Sequence, residues 1–181
     1  MPVDIHVKDT SGLRIRNASS AGSDTQFIVA AWDSTLPYLA SIGSGEMWGA
    51  QPFSEKDGFF EDIADIIQKS EVDISDDSRR LLIVEVVAPC DGRSENAPVA
   101  AAMIRDALPY YLTERQELAS EVNRAKSLLF LEVLISDHRS HPRFEGAGAA
   151  LVEATIHRAR EKGKVAVYVD VWAGNERKLN R

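Results

Sequence analysis

Arg143-Phe-Glu-Gly146-Ala-Gly148 lies between an apolar run, Leu128 to Ile135, and a helix-patterned stretch that starts at Gly146. Residue types in that order suit the holding of an anion. Glycines let the backbone turn tightly and approach a ligand, while the first N–H groups of a helix, which have no partner within it, point at the anion with the positive end of the dipole. Arg143 adds a fixed charge and a planar fork of donors that matches phosphate oxygens. The segment reads as a phosphate-binding helix start.

The elements that must position it are legible on both sides. Leu151, Val152, Thr155, Ile156 and Ala159 fall on one helical stripe, and Glu153, His157, Arg158, Arg160 and Glu161 fall mostly on the other, as in a helix lying on a sheet. Lys162 and Gly163 end that helix with positive charge in the last turn and a glycine in the cap. Val165-Ala-Val-Tyr-Val-Asp-Val171 follows as a β-branched run suited to a strand covered on both faces. A Rossmann dinucleotide site also uses strand, glycine loop and helix, but it needs G-x-G-x-x-G directly after its strand and an acidic residue about 20 positions on. Gly146-Ala-Gly148-Ala-Ala-Leu151 lacks the third glycine, although Asp170 stands at a suitable distance. The loop from Ile135 to Gly146 is also too long for the tight Rossmann turn.

Leu131-Glu-Val-Leu-Ile135, then Arg143-x-x-Gly146-x-Gly148, then Tyr168-Val-Asp-Val-Trp-Ala-Gly-Asn175-Glu-Arg resembles the core of the GNAT superfamily of acetyl-CoA-dependent N-acetyltransferases. That resemblance covers roughly the last third of the chain. It implies an α/β (α+β) fold with a mixed, mainly antiparallel central sheet, helices on both faces and the last strands missing. It also implies transfer of an acetyl group from acetyl-CoA, as cosubstrate, to a primary amine by direct attack in a ternary complex, with no metal. In the family pattern, Val133, Leu134 and Ile135 offer backbone groups to the pantetheine arm. Arg143, Phe144, Glu145, Gly146, Ala147, Gly148 and Ala149 hold the pyrophosphate, chiefly by main-chain N–H groups, and Asn175 lies near the thiol end. Two departures stand out: Phe144 replaces a common glycine, and the segment Ser136 to Pro142 is longer than usual.

Acyl transfer asks for a base, donors for the tetrahedral oxyanion and a proton for the leaving thiolate. Glu132 is the candidate base, since it alternates with Leu131 and Val133 and so faces the other side of the strand; a surface or salt-bridged carboxylate is the competing reading. His138 and His141 are further candidates, and a backbone N–H near Val133 would serve as the oxyanion donor. Cys90, the single cysteine, sits beside Pro89 and Asp91 in a turn rather than in a nucleophile's setting.

The rest of the 181 residues fits one core, read as a single N-acetyltransferase domain over 1–181 that is incomplete at its C-terminal end. Leu13-Arg-Ile-Arg-Asn17 reads as a first strand and Asp24 to Trp32 as a helix, continued after Pro37 by a second helical piece. Leu81 to Ala88 and Pro98 to Ile104 read as strands paired across a turn at Asp91-Gly92-Arg93. Glu114 to Ala125 reads as an inserted helix. Trp32, Tyr38, Trp48, Phe53, Phe59 and Phe60 gather where the family places the helices that roof the acceptor site, and core packing explains them equally well.

Net charge is −7, with an acidic stretch from Glu55 to Asp77, which argues against nucleic acid as a partner. An acidic groove would steer amines or basic peptide ends, whereas Glu61, Asp62, Asp65, Glu71, Asp73, Asp76 and Asp77 read first as a solvated surface. No stretch suits a membrane span or a signal peptide, so the reading is cytoplasmic. Family members add a tyrosine acid and further strands after the equivalent of Asn175, where this chain reaches Arg181. The fifth strand is then expected to need a partner at its edge, from Met1 to Thr10, from the insertion or from another chain, as in a homodimer. Two other functions stay open: a non-catalytic CoA-binding or partner-binding module, and a nucleotide-binding protein that uses the Gly146 and Gly148 loop.

Overall fold

The computed structural model describes residues 12–87, 96–118, 120, 127–139 and 145–176. Its strands are β1 (Leu13–Asn17), β2 (Arg80–Val86), β3 (Ala97–Arg105), β4 (Leu128–Ser136) and β5 (Ala166–Val169), and its helices are α1 (Asp24–Ser41), α2 (Phe59–Val72), the short α3 (Tyr110–Thr113) and α4 (Ala147–Glu161). The strands form one sheet in the order β1-β2-β3-β4-β5. Neighbours are antiparallel except β4 and β5, which run parallel because α4 carries the chain back across the sheet between them.

Each face of the sheet has its own core. Alternation along β2 and β3 sends Leu81, Ile83, Ala101 and Met103 toward α1 and α2, where they meet Ile28, Trp32, Ile63 and Ile67. It sends Leu82, Val84, Ala100, Ala102 and Ile104 toward α4, where they meet Ala150, Leu151 and Ala154. Removing a large aliphatic side chain from water in this way contributes about 1.5–3 kcal/mol each. The alanines of β3 and α4 bring that helix close to the sheet.

Helix α1 departs from the sequence reading, for it runs unbroken through Pro37 instead of forming two pieces. Proline removes one intrahelical donor and crowds the preceding turn. Buried residues on both sides of it, Trp32, Thr35, Leu36 and Leu39, hold the helix on the sheet across that defect. Strand β5 is shorter than the run Val165 to Val171, and Glu114 stands in the turn that ends α3. A 3-10 turn follows at Gln116–Leu118 and Ser120 is helical, while the rest of the expected helix to Ala125 lies outside the described residues. The Asp91-Gly92-Arg93 turn, Cys90 and residues Met1 to Thr10 lie outside the described residues.

The acidic stretch is not all solvated surface. Asp77 is buried and is bridged by Arg80 Nε at 3.0 Å, Arg158 Nη2 at 2.5 Å and Lys162 Nζ at 3.6 Å. Arg158, read from the sequence as outward facing, is therefore buried on α4. Burial and then the neighbouring Arg158 charge push the Arg80 pKa below its ordinary value. Its remaining donors reach the carbonyls of Asp73, Ile74 and Asp76 at 3.3, 3.0 and 2.7 Å.

Candidate functional site

Strand β4 carries an extra residue at its centre. Val133 pairs with Met103 and Leu131 pairs with Ile104, so Glu132 stands unpaired in a β-bulge. The bulge turns the two halves of the strand to different faces: Leu129 and Leu131 pack toward α4, whereas Val133 and Ile135 pack toward α1. The sequence expectation that Leu131 and Val133 share one face and Glu132 the other is corrected by this irregularity, which a strict period of two cannot anticipate.

Pairing between β4 and β5 runs from Leu128 with Ala166 to Leu131 with Val169 and goes no further. From the bulge onward the two parallel strands part, and a cleft of about 870 Å³ opens between them. Its wall comes from both faces of the sheet. Thr35, Leu39 and Trp48 contribute from the α1 side and Gly148, Val152 and Ile156 from α4. A cleft that reaches through a sheet can hold a long ligand against one face and a second reactant against the other.

At the far end of the cleft α4 begins. Gly146 caps it with φ 88°, a left-handed conformation that costs a glycine little and any other residue about 1–2 kcal/mol. A Cβ at Gly146 would meet no atom within 4 Å, so the backbone there borders open space. The bond across this helix start is the Ala150 N–H to the Gly146 carbonyl at 2.8 Å, so the N–H groups of Ala147, Gly148 and Ala149 have no intrahelical acceptor among the described residues. This main-chain cradle fits an anionic group such as a pyrophosphate.

At the bulge the site is charged. Glu132 Oε1 accepts from Arg79 Nη2 at 2.8 Å and lies 3.5 Å from Arg105 Nη1. Glu132 Oε2 and Arg105 Nε are buried without a hydrogen-bond partner among the described residues. Asp170, just past β5, accepts from the Tyr111 hydroxyl at 3.1 Å, which ties α3 to the rim of the cleft. Burial, then that hydrogen bond, raise the Tyr111 pKa to about 12. At the other end Asp137 is held by Arg139, with Nε at 2.8 Å and Nη2 at 3.1 Å, and the His138 N–H donates to Ser34 Oγ at 3.0 Å.

No family model matches the chain, and no curated protein matches it. Solved structures do match. An aminoglycoside acetyltransferase from an uncultured soil metagenomic sample, in complex with trehalose, has a TM-score of 0.52 at 16% identity, over 94% of this chain and 85% of that one. A possible acetyltransferase from Clostridium difficile 630 has a TM-score of 0.51 at 13% identity, over 94% and 91%. The aminoglycoside N-acetyltransferase AAC(6')-Iy in complex with CoA has a TM-score of 0.50 at 15% identity, over 97% and 87%. The fold is that of the GNAT acetyltransferases.

Within this GNAT fold the residues singled out from sequence fall into three groups. Glu132, Val133, Leu134, Ile135, Glu145, Gly146, Ala147 and Gly148 all line the one cleft, with Ala149 in the adjoining helical turn. Asn175 does not line it: its amide donates to the Ile42 carbonyl at 2.7 Å and lies 3.1 Å from Ser44 Oγ, which fastens the chain after β5 to the turn after α1. Arg143, Phe144 and His141 lie outside the described residues. Among the described residues no group of three His, Cys, Asp or Glu is placed to hold a metal, and no helix is long and apolar enough to cross a membrane. Arg79, Arg105 and Tyr111 were missed, because nothing in their spacing links them to Glu132 and Asp170 before the sheet brings them together. Val152, which packs against the core as its stripe position implies, and Ile156 also form the cleft's α4 wall.

Proposed function

We propose that the chain is a cytoplasmic N-acetyltransferase that moves the acetyl group of acetyl-CoA to a primary amine on a small molecule or peptide. The observation that carries this reading is the parting of β4 and β5 at a bulge, with the resulting cleft ending on the start of a glycine-capped helix. Main-chain groups of Val133, Leu134 and Ile135 take the amide-rich arm of the cosubstrate. The helix start from Glu145 to Ala149, completed by Arg143 and Phe144, takes its pyrophosphate, and Asn175 orders the segment after β5.

Acetyl-CoA supplies the activated thioester. The amine nitrogen attacks the thioester carbonyl carbon, and a main-chain N–H near Val133 stabilises the oxyanion. The C–S bond then breaks, the nitrogen's proton passes to Glu132 directly or through water, and the thiolate takes up a proton. The products are an acetylated amine and CoA thiol. Arg79 and Arg105 hold the Glu132 carboxylate at the bulge, with Oε2 buried and without a hydrogen bond among the described residues.

Calorimetric titration with acetyl-CoA tests this function, beside Gly146→Val, whose β-branched side chain cannot hold φ 88° without strain. Micromolar binding by the parent chain and at least about tenfold weaker binding by the variant are expected, since losing 1.4 kcal/mol of contact is a factor of ten. Binding competed by desulfo-CoA without turnover of any amine would point instead to a non-catalytic CoA module. Preference for a nucleotide lacking the pantetheine arm would point to a nucleotide-binding protein.

A further inference from the structure

Asn175 joins two walls of the cleft without standing in either. Val169, Asp170 and Val171 line the cleft from the end of β5, while Leu39, Met47 and Trp48 line it from α1 and the turn that follows. Between Leu39 and Met47 lies the turn 42–44, where the Asn175 amide donates to the Ile42 carbonyl at 2.7 Å and to Ser44 Oγ at 3.1 Å. Ile42 caps α1, and a carbonyl at a helix end must find its donor outside the helix. Ser44 is fully buried.

The fit is close on both sides of this contact. Gly43 has φ 74°, and a Cβ there would stand 3.2 Å from Asn175 Nδ2. A Cβ at Gly174 would fall 2.0 Å from the Trp172 indole, so the segment leading to Asn175 is folded tightly on itself. Asn175 and Glu176 have φ 47° and 54°, a left-handed pair that is costly for L-residues and least so for asparagine. Such conformations persist only where their surroundings over-determine them, and the two amide bonds and the close approach of Gly43 do so here.

We infer that Asn175 is a positioning residue: it fastens the end of β5 to the turn after α1 and so holds two walls of the cleft at the separation that the cosubstrate needs. This rests on the acyl-transfer reading above. Walls set in advance leave less freedom to be lost on binding, and the gain falls chiefly on the dissociation rate. A gate would act differently, because it slows entry and exit alike.

Stopped-flow binding of acetyl-CoA to the full chain, followed by tryptophan fluorescence, is compared in the parent, Asn175→Asp and Asn175→Gly, with urea midpoints and hydrogen exchange measured alongside. Asn175→Asp keeps the shape and the tolerance of positive φ but cannot donate to a carbonyl, and Asn175→Gly keeps the backbone and removes the side chain. Both release acetyl-CoA about tenfold faster, with association within about twofold of the parent, as expected for the loss of two hydrogen bonds felt in the off-rate. Both also exchange faster at 42–48 and at 170–172, while β2 stays as in the parent. Gly43→Ala, which crowds the amide from the other side, shifts the same quantities in the same direction. Asn175→Gly imposes no strain at a positive φ, so it decides the matter where Asn175→Asp fails to fold. Parental dissociation in folded Asn175→Gly overturns the inference. So does a fall in the urea midpoint with faster exchange throughout the sheet, which is a merely structural role, or a quickening of association and dissociation together, which is a gate. A parent chain that binds no acetyl-CoA sinks the acyl-transfer reading. The fastening of the walls is then judged by exchange alone, upheld if 42–48 and 170–172 loosen together in Asn175→Gly and refuted if they do not.

Discussion

Tyr111 shows how a single side chain can report on this cleft. Its phenol donates to Asp170 and lies within Coulombic reach of Glu132 and Arg105, and burial followed by the Asp170 bond raises its pKa from 10.0 to about 12. A raised pKa favours the protonated form in the folded chain. The contribution to stability is therefore fully present below pH 10.0 and is lost as pH rises toward about 12. Ultraviolet difference titration of the parent against Tyr111→Phe should show one phenol ionising late. Asp170→Asn should bring that titration part of the way back, because burial is the larger cause; an unmoved titration would mean that the bond to Asp170 is not made. Glu132 makes the complementary point. Its setting depends less on being a strand carboxylate than on being the residue a bulge leaves over.

Between elements, the connection that matters most is the buried charge cluster joining the loop before β2 to α4. Asp77 is the shared acceptor of Arg80 and Arg158, whose side chains are 1% and 9% exposed. Breaking a buried pair by removing one partner typically costs about 3–5 kcal/mol, because the remaining charge stays desolvated. Asp77→Asn should lower the stability of the chain by about that amount, read from the urea midpoint at constant slope. A shift of only a few tenths of a kcal/mol, the usual size for a surface residue, would show that the cluster opens to water. Because α4 also carries the helix start proposed to hold the pyrophosphate, the same substitution should weaken acetyl-CoA binding through the position of the helix rather than through any contact with the ligand.

Across the whole molecule, stability should be uneven in a way the sheet order sets. Strands β2 and β3 are central, paired on both sides and packed on both faces, whereas β5, among the described residues, is paired over only Ala166 to Val169 and on one side. Native-state hydrogen exchange should find the slowest amides in β2 and β3 and the fastest among the strands in β5, with β4 split at Glu132 between a protected first half and a less protected second. Acetyl-CoA should slow exchange in that second half and at the start of α4 while leaving β2 unchanged. Equal protection of β5 and β3 would mean that β5 gains a further partner in solution, as a homodimer would supply.

The sequence by itself determined the local elements: the β-branched runs made strands, the apolar stripe of Leu151, Thr155 and Ala159 made the core face of α4, and Gly146 and Gly163 set its two ends through their positive φ. The reading of the helix start as an anion site is local in the same sense, because its glycines and its arginine are near neighbours in the chain. Tertiary structure alone decided what faces the cleft. The bulge at Glu132 reverses the alternation of β4, the course of α1 through Pro37 rests on packing around a missing donor, and Arg158 is buried because Asp77, distant in sequence, awaits it. In the same way Tyr111 meets Asp170, and Tyr38 meets His138, only after the sheet has formed. Those are contacts between residues far apart in the chain, and no periodicity or spacing encodes which of them will be neighbours once two cores have closed on opposite faces of one sheet.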